Sequence, residues 1–340
     1  MLSFGQPAYR ARQVYGWLYR HLARDFAEMS DLPEALRRTL AREATLGAGG
    51  VLAESVAADG LTRKLLIRLA DGEAIETVLM CYPEEGGDEP RRSVCVSSQV
   101  GCPVGCAFCA TGRSGLVRQL SAGEIVGQVL QFARELQAQG NERPVTNVVF
   151  MGQGEPLLNW PAVQKAVETL NSPQGFNLGA RHVTISTAGV VPGIEDLAGW
   201  PLQVGLAVSL HAPDDALRNQ LVPLNRRYPI EALLRACRSY FASTGRRVTF
   251  EYALIEGLND ETRQARLLAD RLAGLTCHVN LIPLNATPDC ALRPSSRGRV
   301  LAFQQQLLEI GVPCTVRAAR GADIDAACGQ LRRRVAQRES

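Results

Sequence analysis

Three cysteines of this 340-residue chain follow one another at the spacing of a metal-binding loop. Cys102, Cys106 and Cys109 form a Cys-x3-Cys-x2-Cys run, and three glycines stand close to them. Glycine permits the tight turns that would direct all three thiols inward. Iron–sulfur clusters are usually held by four thiolates, so a local set of three predicts a cluster with one iron open to a small molecule.

Two other interpretations of these thiols are open on spacing alone. A zinc site could use Cys95 together with the three, although a zinc ribbon needs two separated Cys-x2-Cys pairs and the sequence has one. Structural disulfides are disfavoured, because ten cysteines without the apolar core of a secretory signal peptide indicate a reducing compartment. The specificity of the motif, more than its spacing, favours the cluster.

The elements that would position these thiols follow from the apolar runs. From residue 93 onward strand-like runs alternate with helical ones, which predicts parallel strands joined by crossover helices and an α/β fold. The predicted strands are 93–98, 146–151, 182–187, 203–210, 247–255, 278–284 and 313–318, and the predicted helices lie near 121–138, 160–171, 229–243, 261–273 and 297–310. Periodicity alone does not separate an open doubly wound sheet from a partial barrel.

Polar motifs stand where several of these strands end, which is where barrel enzymes place their active sites. Gly152-Gln-Gly154-Glu155 follows the strand at 146–151; its glycines let backbone approach a ligand, and its carboxylate can accept from an ammonium. Ser186 ends the next strand, and Ser209-Leu210-His211 ends the one after it. A plain glycine turn or a structural histidine would explain each motif singly. Their order along the chain favours a ligand site.

The residues before the alternating region predict a helical unit and a hairpin. Residues 8–45 predict two amphipathic helices bearing arginines, which fits an RNA-contacting face and a solvated basic face equally well. Residues 62–69 and 74–80 predict two antiparallel strands. Glu76 lies among apolar neighbours in the second strand, so its carboxylate needs a partner or a task. The acidic stretch 83–90 is the predicted domain boundary.

Composition sets broad limits on function. Hydrophobic residues make up 46% of the chain and charged residues 21%, as in an ordinary globular protein. The net charge of +3 and the pI of about 8.4 permit a nucleic-acid partner without requiring one. The sequence shows neither a membrane span nor a signal peptide, so we expect a cytoplasmic protein with no membrane partner.

The run Cys102–Cys109 resembles the signature of radical S-adenosylmethionine (SAM) enzymes, and the wider chain resembles their RlmN/Cfr branch of adenine methyltransferases. The similarity extends from about Tyr9 to Leu331. Seven strings carry it in order: Glu76-Thr-Val, Cys95-Val-Ser-Ser-Gln-Val-Gly-Cys102, Gly152-Gln-Gly-Glu-Pro-Leu-Leu-Asn159, Val183-Thr-Ile-Ser-Thr187, Ser209-Leu-His-Ala-Pro213, Asn280-Leu-Ile-Pro283 and Arg320-Gly-Ala-Asp-Ile-Asp-Ala-Ala-Cys328-Gly-Gln-Leu331. Relatives commonly have methionine where this chain has Gln153, which leaves the glycines and the acid in place.

The resemblance implies a partial (βα)6 TIM-like barrel with a small N-terminal helical domain and a β-hairpin linker. The implied division of the chain is an RNA-contacting helical domain at 1–50, a hairpin linker at 51–92 and a catalytic barrel at 93–340. The barrel is expected to end in a segment that carries the methyl group.

The resemblance also implies residue roles. Cys102, Cys106 and Cys109 would hold a [4Fe-4S] cluster whose fourth iron is chelated by SAM. The implied SAM pocket consists of Gly154, Glu155, Ser186, Ser209, Leu210, His211 and Asn285. Cys328 would become S-methylcysteine, Cys95 would be the resolving thiol that forms a transient disulfide with it, and Glu76 would be the proton acceptor.

The implied chemistry is radical, because adenine C2 is electrophilic and cannot displace a methyl group from SAM. Two SAM molecules are expected per turnover. One methylates the Cys328 thiolate, and the other, cleaved by an electron from the cluster, gives a 5′-deoxyadenosyl radical that takes hydrogen from the S-methyl group. The resulting methylene radical would link Cys328 to the adenine. Attack by Cys95 on the Cys328 sulfur, a thiol exchange, would then release the product.

The expected substrates follow from the branch that the chain resembles. RlmN-like members methylate C2 of an adenosine in the peptidyl transferase region of 23S rRNA, and many also methylate the tRNA adenosine 3′ of the anticodon; Cfr-like members methylate C8. The strings at 154–159 and 280–283 resemble the RlmN branch, so C2 is predicted. The expected electron donor is a flavodoxin or ferredoxin, and the expected state is a monomer. The alternatives from other classes are a non-catalytic iron–sulfur RNA-binding redox sensor and a radical SAM enzyme acting on a protein or small molecule.

Overall fold

The structure, a computed structural model, describes residues 4–83, 90–285 and 291–317 and the single position 331. Its N-terminal part contains two helices, α1 (Ala8–Tyr19) and α2 (Glu34–Glu43), which confirms the predicted helical unit. Their apolar faces enclose a small core of their own. The carboxylate of Asp31, just before α2, holds this segment against α1, since it accepts hydrogen bonds from Trp17 Nε1 at 2.6 Å and from Gln13 Nε2 at 2.8 Å.

Three antiparallel strands follow the helices: β1 (Gly50–Val56), β2 (Thr62–Arg68) and β3 (Ala74–Tyr82). The hairpin β2–β3 confirms the prediction. The sequence did not predict β1, because most of its side chains are exposed at the edge of the sheet and give no buried apolar run. β3 also pairs antiparallel with β4 (Arg91–Cys95). The hairpin therefore continues the sheet of the larger domain.

A separate two-stranded sheet flanks the cysteine loop. It consists of β5 (Gln99–Gly101) and β6 (Leu116–Gln119), which pair antiparallel. The loop with the three thiols lies between them and includes the short helix α3 (Ala110–Arg113). The small sheet thus closes the base of the loop.

Parallel strands joined by helices form the rest of the main sheet. Beyond β4 the sheet continues through β7 (Asn147–Phe150), β8 (Val183–Thr187), β9 (Gly205–Ser209), β10 (Val248–Leu254), β11 (Cys277–Pro283) and β12 (Cys314–Val316). The helices are α4 (Ala122–Ala138), α5 (Trp160–Asn171), α6 (Val191–Gly199), α7 (Asp215–Leu221), α8 (Ile230–Thr244), α9 (Thr262–Leu272) and α10 (Arg297–Glu309). All the predicted strands and helices are confirmed to within a few residues, while α6 and α7 were not predicted. Across the described ranges, none of the helices has both the length and the apolar character needed to cross a membrane.

The main sheet curves around an interior cavity of about 770 Å³. Side chains from β2 through β12 line it, among them Cys95 of β4, Val149 of β7 and Glu251 of β10. The residues that alternate with these, such as Val94 and Val148, are buried in the core on the outer face of the sheet. Six strand–helix units followed by β12 confirm the partial (βα)6 barrel.

We predict that Gly127 of α4 does not tolerate a side chain. A Cβ there would lie 2.3 Å from Ala48 N, because the segment between α2 and β1 runs directly against the helix. Gly127→Ala should therefore lower the free energy of unfolding by about 1–3 kcal/mol in guanidinium denaturation. Gly123→Ala on the same helix is the matched control, since its nearest contact is Ser121 Oγ at 3.9 Å. It should be neutral or stabilising by up to about 1 kcal/mol, and equal losses in both variants would contradict the packing.

Candidate active site

The cysteine loop begins where β5 ends, and two glycines determine its shape. Gly101 has a φ of +79°, and a Cβ on it would lie 2.0 Å from Gly115 O, so no other residue fits there. The Cys102 N–H donates to the same carbonyl at 2.9 Å. A Cβ on Gly112 would lie 2.9 Å from Cys106 N. The loop is thus folded tightly on itself, as the sequence predicted.

The three predicted cluster ligands lie in one loop, and two of them, Cys102 and Cys106, belong to an apolar shell at the carboxyl ends of the strands. The shell is formed by Val104, Ala188, Ala212, Leu221, Val222, Ile255 and Leu284, with Phe108, Leu217 and Leu292 packed against it. Burial raises the pKa of Cys102 to about 12. Burial, together with the neighbouring sulfurs of Cys109 and Cys102, raises the pKa of Cys106 further still. The Gly112 N–H donates to Cys109 Sγ at 3.4 Å.

The motif with Gly154 and Glu155 lies beside this shell. Gly154 has a φ of +103°, and a Cβ there would lie 2.7 Å from Gln99 Cβ. Glu155 is buried; its Oε1 accepts from the Leu157 N–H at 3.1 Å and its Oε2 from the Ala188 N–H at 2.7 Å. Burial raises the pKa of Glu155 to about 7, although these hydrogen bonds lower it. The carboxylate joins the ends of β7 and β8 and has acceptor capacity left for an ammonium.

The residues predicted at the ends of β8 and β9 differ in their surroundings. Ser186 and Ser209 follow the cavity-lining residues Thr184 and Ala207 on the same face of the sheet, one step nearer the carboxyl end. Both serines are partly exposed. The side chain of Leu210 packs in the main core, and its backbone N–H and C=O both form hydrogen bonds within the protein. The two hydroxyl groups, but not the Leu210 side chain, face the barrel mouth.

His211 is a neutral histidine in a fixed orientation. It is buried, with a φ of +58°, and its Nδ1 accepts from the Ala253 N–H at 3.0 Å, so Nε2 carries the proton. Burial, with a contribution from the positive charge of Arg218, lowers its pKa to about 3. Its ring meets that of Phe108 edge to face, with the centroids 4.8 Å apart. His211 therefore offers a hydrogen-bond donor and connects the end of β9 to the cysteine loop.

Glu76 forms a buried ion pair that the sequence analysis missed. Lys64 Nζ lies 2.9 Å from Glu76 Oε2, and the two side chains are 0% and 2% exposed. They lie on the faces of β2 and β3 that also carry the cavity-lining residues Thr62 and Val78. The sequence offers one signal, a lysine within a predicted strand, but only the register of the hairpin shows that Lys64 lies diagonally opposite Glu76. The ion pair places both charges on the inner side of the barrel.

Cys95 lines the interior cavity, and hydroxyl groups fix the segments around it. Thr77 Oγ1 donates to Cys95 O at 2.9 Å. Ser97 Oγ donates to Glu76 O at 2.6 Å and accepts from the Gln153 N–H at 3.0 Å. One hydroxyl group therefore holds together β3, the end of β4 and the glycine-rich loop.

Two predicted site residues lie at the limits of what the structure describes. Asn285 is exposed and lines the same cavity as Cys95. Cys328 lies outside the described residues. No disulfide joins two of the described cysteines, and the transient disulfide between Cys95 and Cys328 stays a prediction.

A partial barrel with three thiols in one loop at its carboxyl edge defines a radical SAM enzyme. Accordingly, the family model of the radical SAM superfamily matches residues 96–268. A second model, the ribosomal RNA large subunit methyltransferase N-terminal domain, matches residues 1–46. The chain belongs to the RlmN family of radical SAM methyltransferases, since relatives named RlmN match it over nearly its whole length.

Three similar proteins illustrate the match. A dual-specificity RNA methyltransferase RlmN of Chloroflexus aurantiacus is 53% identical over 97% of this chain and 88% of its own length. The ribosomal RNA large subunit methyltransferase N of Nitrosopumilus maritimus is 47% identical over 98% of this chain and 94% of its own. The crystal structure of a radical SAM methyltransferase from Sphaerobacter thermophilus is 52% identical, covers 97% of this chain and 94% of its own, and superposes with a TM-score of 0.92.

The described residues fit the [4Fe-4S] cluster and the SAM that this superfamily uses. Cys102 and Cys106 lie in the apolar shell and Cys109 of the same loop accepts a backbone N–H, so the three thiols form a suitable sulfur donor set. Gln153, two residues before Glu155, has a buried Oε1 without a hydrogen-bond partner among the described residues, so it can accept from a polar ligand. In that same part of the chain no group of His, Cys, Asp and Glu is arranged around a single metal ion. Family membership decides for the cluster over zinc.

We predict that Lys64→Met is strongly destabilising. The substitution takes away a cationic partner of the buried Glu76 carboxylate, so the free energy of unfolding should fall by about 3–5 kcal/mol in chemical denaturation. Lys165→Met is the matched control, because that lysine is 70% exposed and should change stability by less than about 1 kcal/mol. The double variant Lys64→Met/Glu76→Leu should recover much of the loss, since it removes both charges. Equal stability of the two single variants would count against the ion pair.

Proposed function

We propose that this enzyme methylates C2 of an adenosine in 23S rRNA and of the adenosine 3′ of the tRNA anticodon. The observation that carries the proposal is that the proposed resolving thiol Cys95 and the proposed SAM contact Asn285 line one cavity. Its volume of about 770 Å³ is in the range of ligand pockets and accommodates a nucleobase. The names of the relatives, a dual-specificity RNA methyltransferase and a large-subunit rRNA methyltransferase, support the two substrates.

Three residues carry the chemistry in this proposal. The cluster and SAM, when bound, supply the radical that removes hydrogen from an S-methyl group. Cys328 carries that methyl group, and its sulfur must be ionised to receive it. Cys95, as a thiolate, attacks the Cys328 sulfur, so that an S–S bond forms as the bond from Cys328 to the methylene carbon breaks. The electron pair of the broken bond passes to the methylene carbon, which takes up a proton and becomes the methyl group. Glu76 accepts a proton, and its place on the same face of β3 as the cavity-lining residue Val78 supports this role.

The residues around the cluster loop form the proposed SAM pocket. Glu155 accepts a hydrogen bond from the ammonium of SAM, and Gly154 lets backbone approach it. The hydroxyl groups of Ser186 and Ser209 and the Nε2–H of His211 donate to its oxygen and nitrogen acceptors. Because its pKa is lowered to about 3, His211 stays neutral at physiological pH, so Nδ1 remains the acceptor of the Ala253 N–H and the donor is fixed at Nε2.

The N-terminal domain is the proposed first contact with RNA. Its exposed arginines suit phosphate contacts; they are Arg12, Arg20, Arg24, Arg38 and Arg42. A flavodoxin or ferredoxin is the proposed source of electrons, because the chemistry consumes an electron that the substrates do not provide. We place the enzyme, as a monomer, in the compartment that holds its RNA substrates, the cytoplasm.

We predict that Cys95→Ala traps a covalent complex with RNA. Without a thiol at position 95 the bond between Cys328 and the methylene carbon cannot be broken. The RNA therefore stays attached to the protein, which should migrate more slowly on a denaturing gel until ribonuclease is added. Cys237→Ala removes a buried cysteine of the core and should show no adduct. Adding Cys328→Ala to Cys95→Ala should abolish the adduct. Free protein from Cys95→Ala would contradict the mechanism.

We predict that mass spectrometry places the new methyl group on C2. Nucleosides from 23S rRNA and tRNA should contain 2-methyladenosine in cells that carry the gene and lose it in a deletion strain. Restoring the gene should restore the modification, whereas the Cys328→Ala variant should not. Methylation at C8 would assign the enzyme to Cfr-like chemistry, and methylation of rRNA alone would remove tRNA from the proposal.

A further inference from the structure

The helix α7 lies directly against the cysteine loop. The Ala107 N–H, between the second and third thiols, donates to Leu221 O at 3.0 Å. Leu217 and Leu221 of the same helix belong to the apolar shell that includes Cys102 and Cys106. A charge on the inner side of α7 is therefore close to the cluster site, with little water between them.

Arg218 of α7 is such a charge. Its side chain is 0% exposed, and its guanidinium donates to Leu210 O at 3.0 Å, Ala188 O at 2.7 Å, Ser209 O at 2.9 Å and Asn225 Oδ1 at 2.8 Å. All four of these acceptors among the described residues are uncharged oxygens. Three of them are carbonyls at the carboxyl ends of β8 and β9, so Arg218 also fastens the strand ends beside the proposed SAM pocket.

Among the residues that the structure describes, the positive charge of Arg218 is compensated only at a distance. Asp215 is reached through Asn225, whose Nδ2 donates to Asp215 Oδ1 at 2.8 Å. Burial lowers the pKa of Arg218 to about 10, which leaves it cationic at neutral pH. Burying a charge without a direct counter-ion is costly. The reduced cluster is anionic, and its attraction to the guanidinium offsets this desolvation cost.

We propose that Arg218 raises the reduction potential of the [4Fe-4S] cluster by stabilising the extra negative charge of its reduced state. The inference rests on the cluster being held by Cys102, Cys106 and Cys109. Reduction adds one electron, from the flavodoxin or ferredoxin or from dithionite in vitro, and no proton, so the site becomes more negative by one unit. A fixed cation in a low-dielectric shell favours that change, and net charge is one of the determinants of iron–sulfur potentials. Arg218 is thus a positioning residue for the strand ends and a tuning residue for the cluster.

The test is a potentiometric titration, followed by electron paramagnetic resonance, of the full-length reconstituted protein without SAM or RNA. Arg218→Gln should lower the equilibrium constant for reduction by about tenfold, as expected for loss of one charge within ~10 Å at an effective dielectric constant near 20. For one electron this is a shift of about 59 mV to lower potential. Arg218→Lys keeps the charge and should stay close to the wild type.

Two further variants control for structural effects. Arg92→Gln removes another arginine that donates to backbone carbonyls, those of Pro144 and Arg143. Because Arg92 lies at the beginning of β4, at the end of the barrel opposite the cluster loop, this variant should leave the potential unchanged. Asp215→Asn removes the remote negative charge and should raise the potential, which keeps the inference testable if Arg218→Gln does not fold. Iron and sulfide contents confirm that each variant carries an intact cluster.

The outcomes separate this inference from the proposed function. A wild-type protein that shows no [4Fe-4S] signal after reconstitution would refute the cluster assignment itself. A normal signal with the same potential in Arg218→Gln, or equal shifts in Arg218→Gln and Arg218→Lys, would overturn the tuning role alone. An unchanged or lowered potential in Asp215→Asn would overturn it as well.

Discussion

The site depends on how the barrel satisfies backbone groups where its strands stop pairing. Buried N–H and C=O groups at these ends lack further ladder partners, and leaving one unpaired costs about 1–3 kcal/mol. Polar side chains take over: Asn259 Nδ2 donates to His211 O at 2.8 Å and Ala253 O at 2.6 Å, and the amide of Gln128 bonds both Ser97 N and Ser97 O, at 2.8 Å and 2.9 Å. The carboxyl edge of the barrel is ordered because side chains supply the hydrogen bonds that a neighbouring strand would otherwise provide.

The same requirement explains why the ligand-facing residues are oriented before any ligand binds. Glu155 uses both oxygens to receive backbone N–H groups, and His211 uses Nδ1 in the same way. Each then has only its remaining acceptor or donor to offer, in a direction set by the strands. Such preorganised dipoles need no rearrangement during the reaction. Such a residue bonds backbone groups at the strand ends and also faces the ligand. Replacing it therefore changes both the local backbone structure and the ligand contact.

The strands and the motifs at their ends could be predicted from the sequence, because buried parallel strands leave short apolar runs and the motif of Glu155 follows one of them. Lys64 and Arg218 could not be assigned a role in this way. Lys64 meets Glu76 only through the register of the β2–β3 hairpin. Arg218 lies on a short helix, and three of its acceptors are backbone carbonyls, which any residue type supplies. A sequence pattern can indicate a charged side chain as the partner of an arginine, but it cannot indicate a backbone carbonyl. The edge strand β1 was missed for a different reason, since its exposed side chains give no buried apolar run.

Enclosure of the thiols imposes a condition on how the cluster is loaded. An apolar shell excludes water from radical chemistry, but it favours the protonated thiol and raises the pKa of Cys102 to about 12. Iron binds thiolate, so loading must release protons from the three cysteines and becomes easier as the pH rises. The charge of Arg218 opposes the effect of burial on Cys106. A shell that excludes water to protect a radical therefore also opposes binding of the cluster, and the buried cation next to that shell offsets only a small part of this effect, at Cys106.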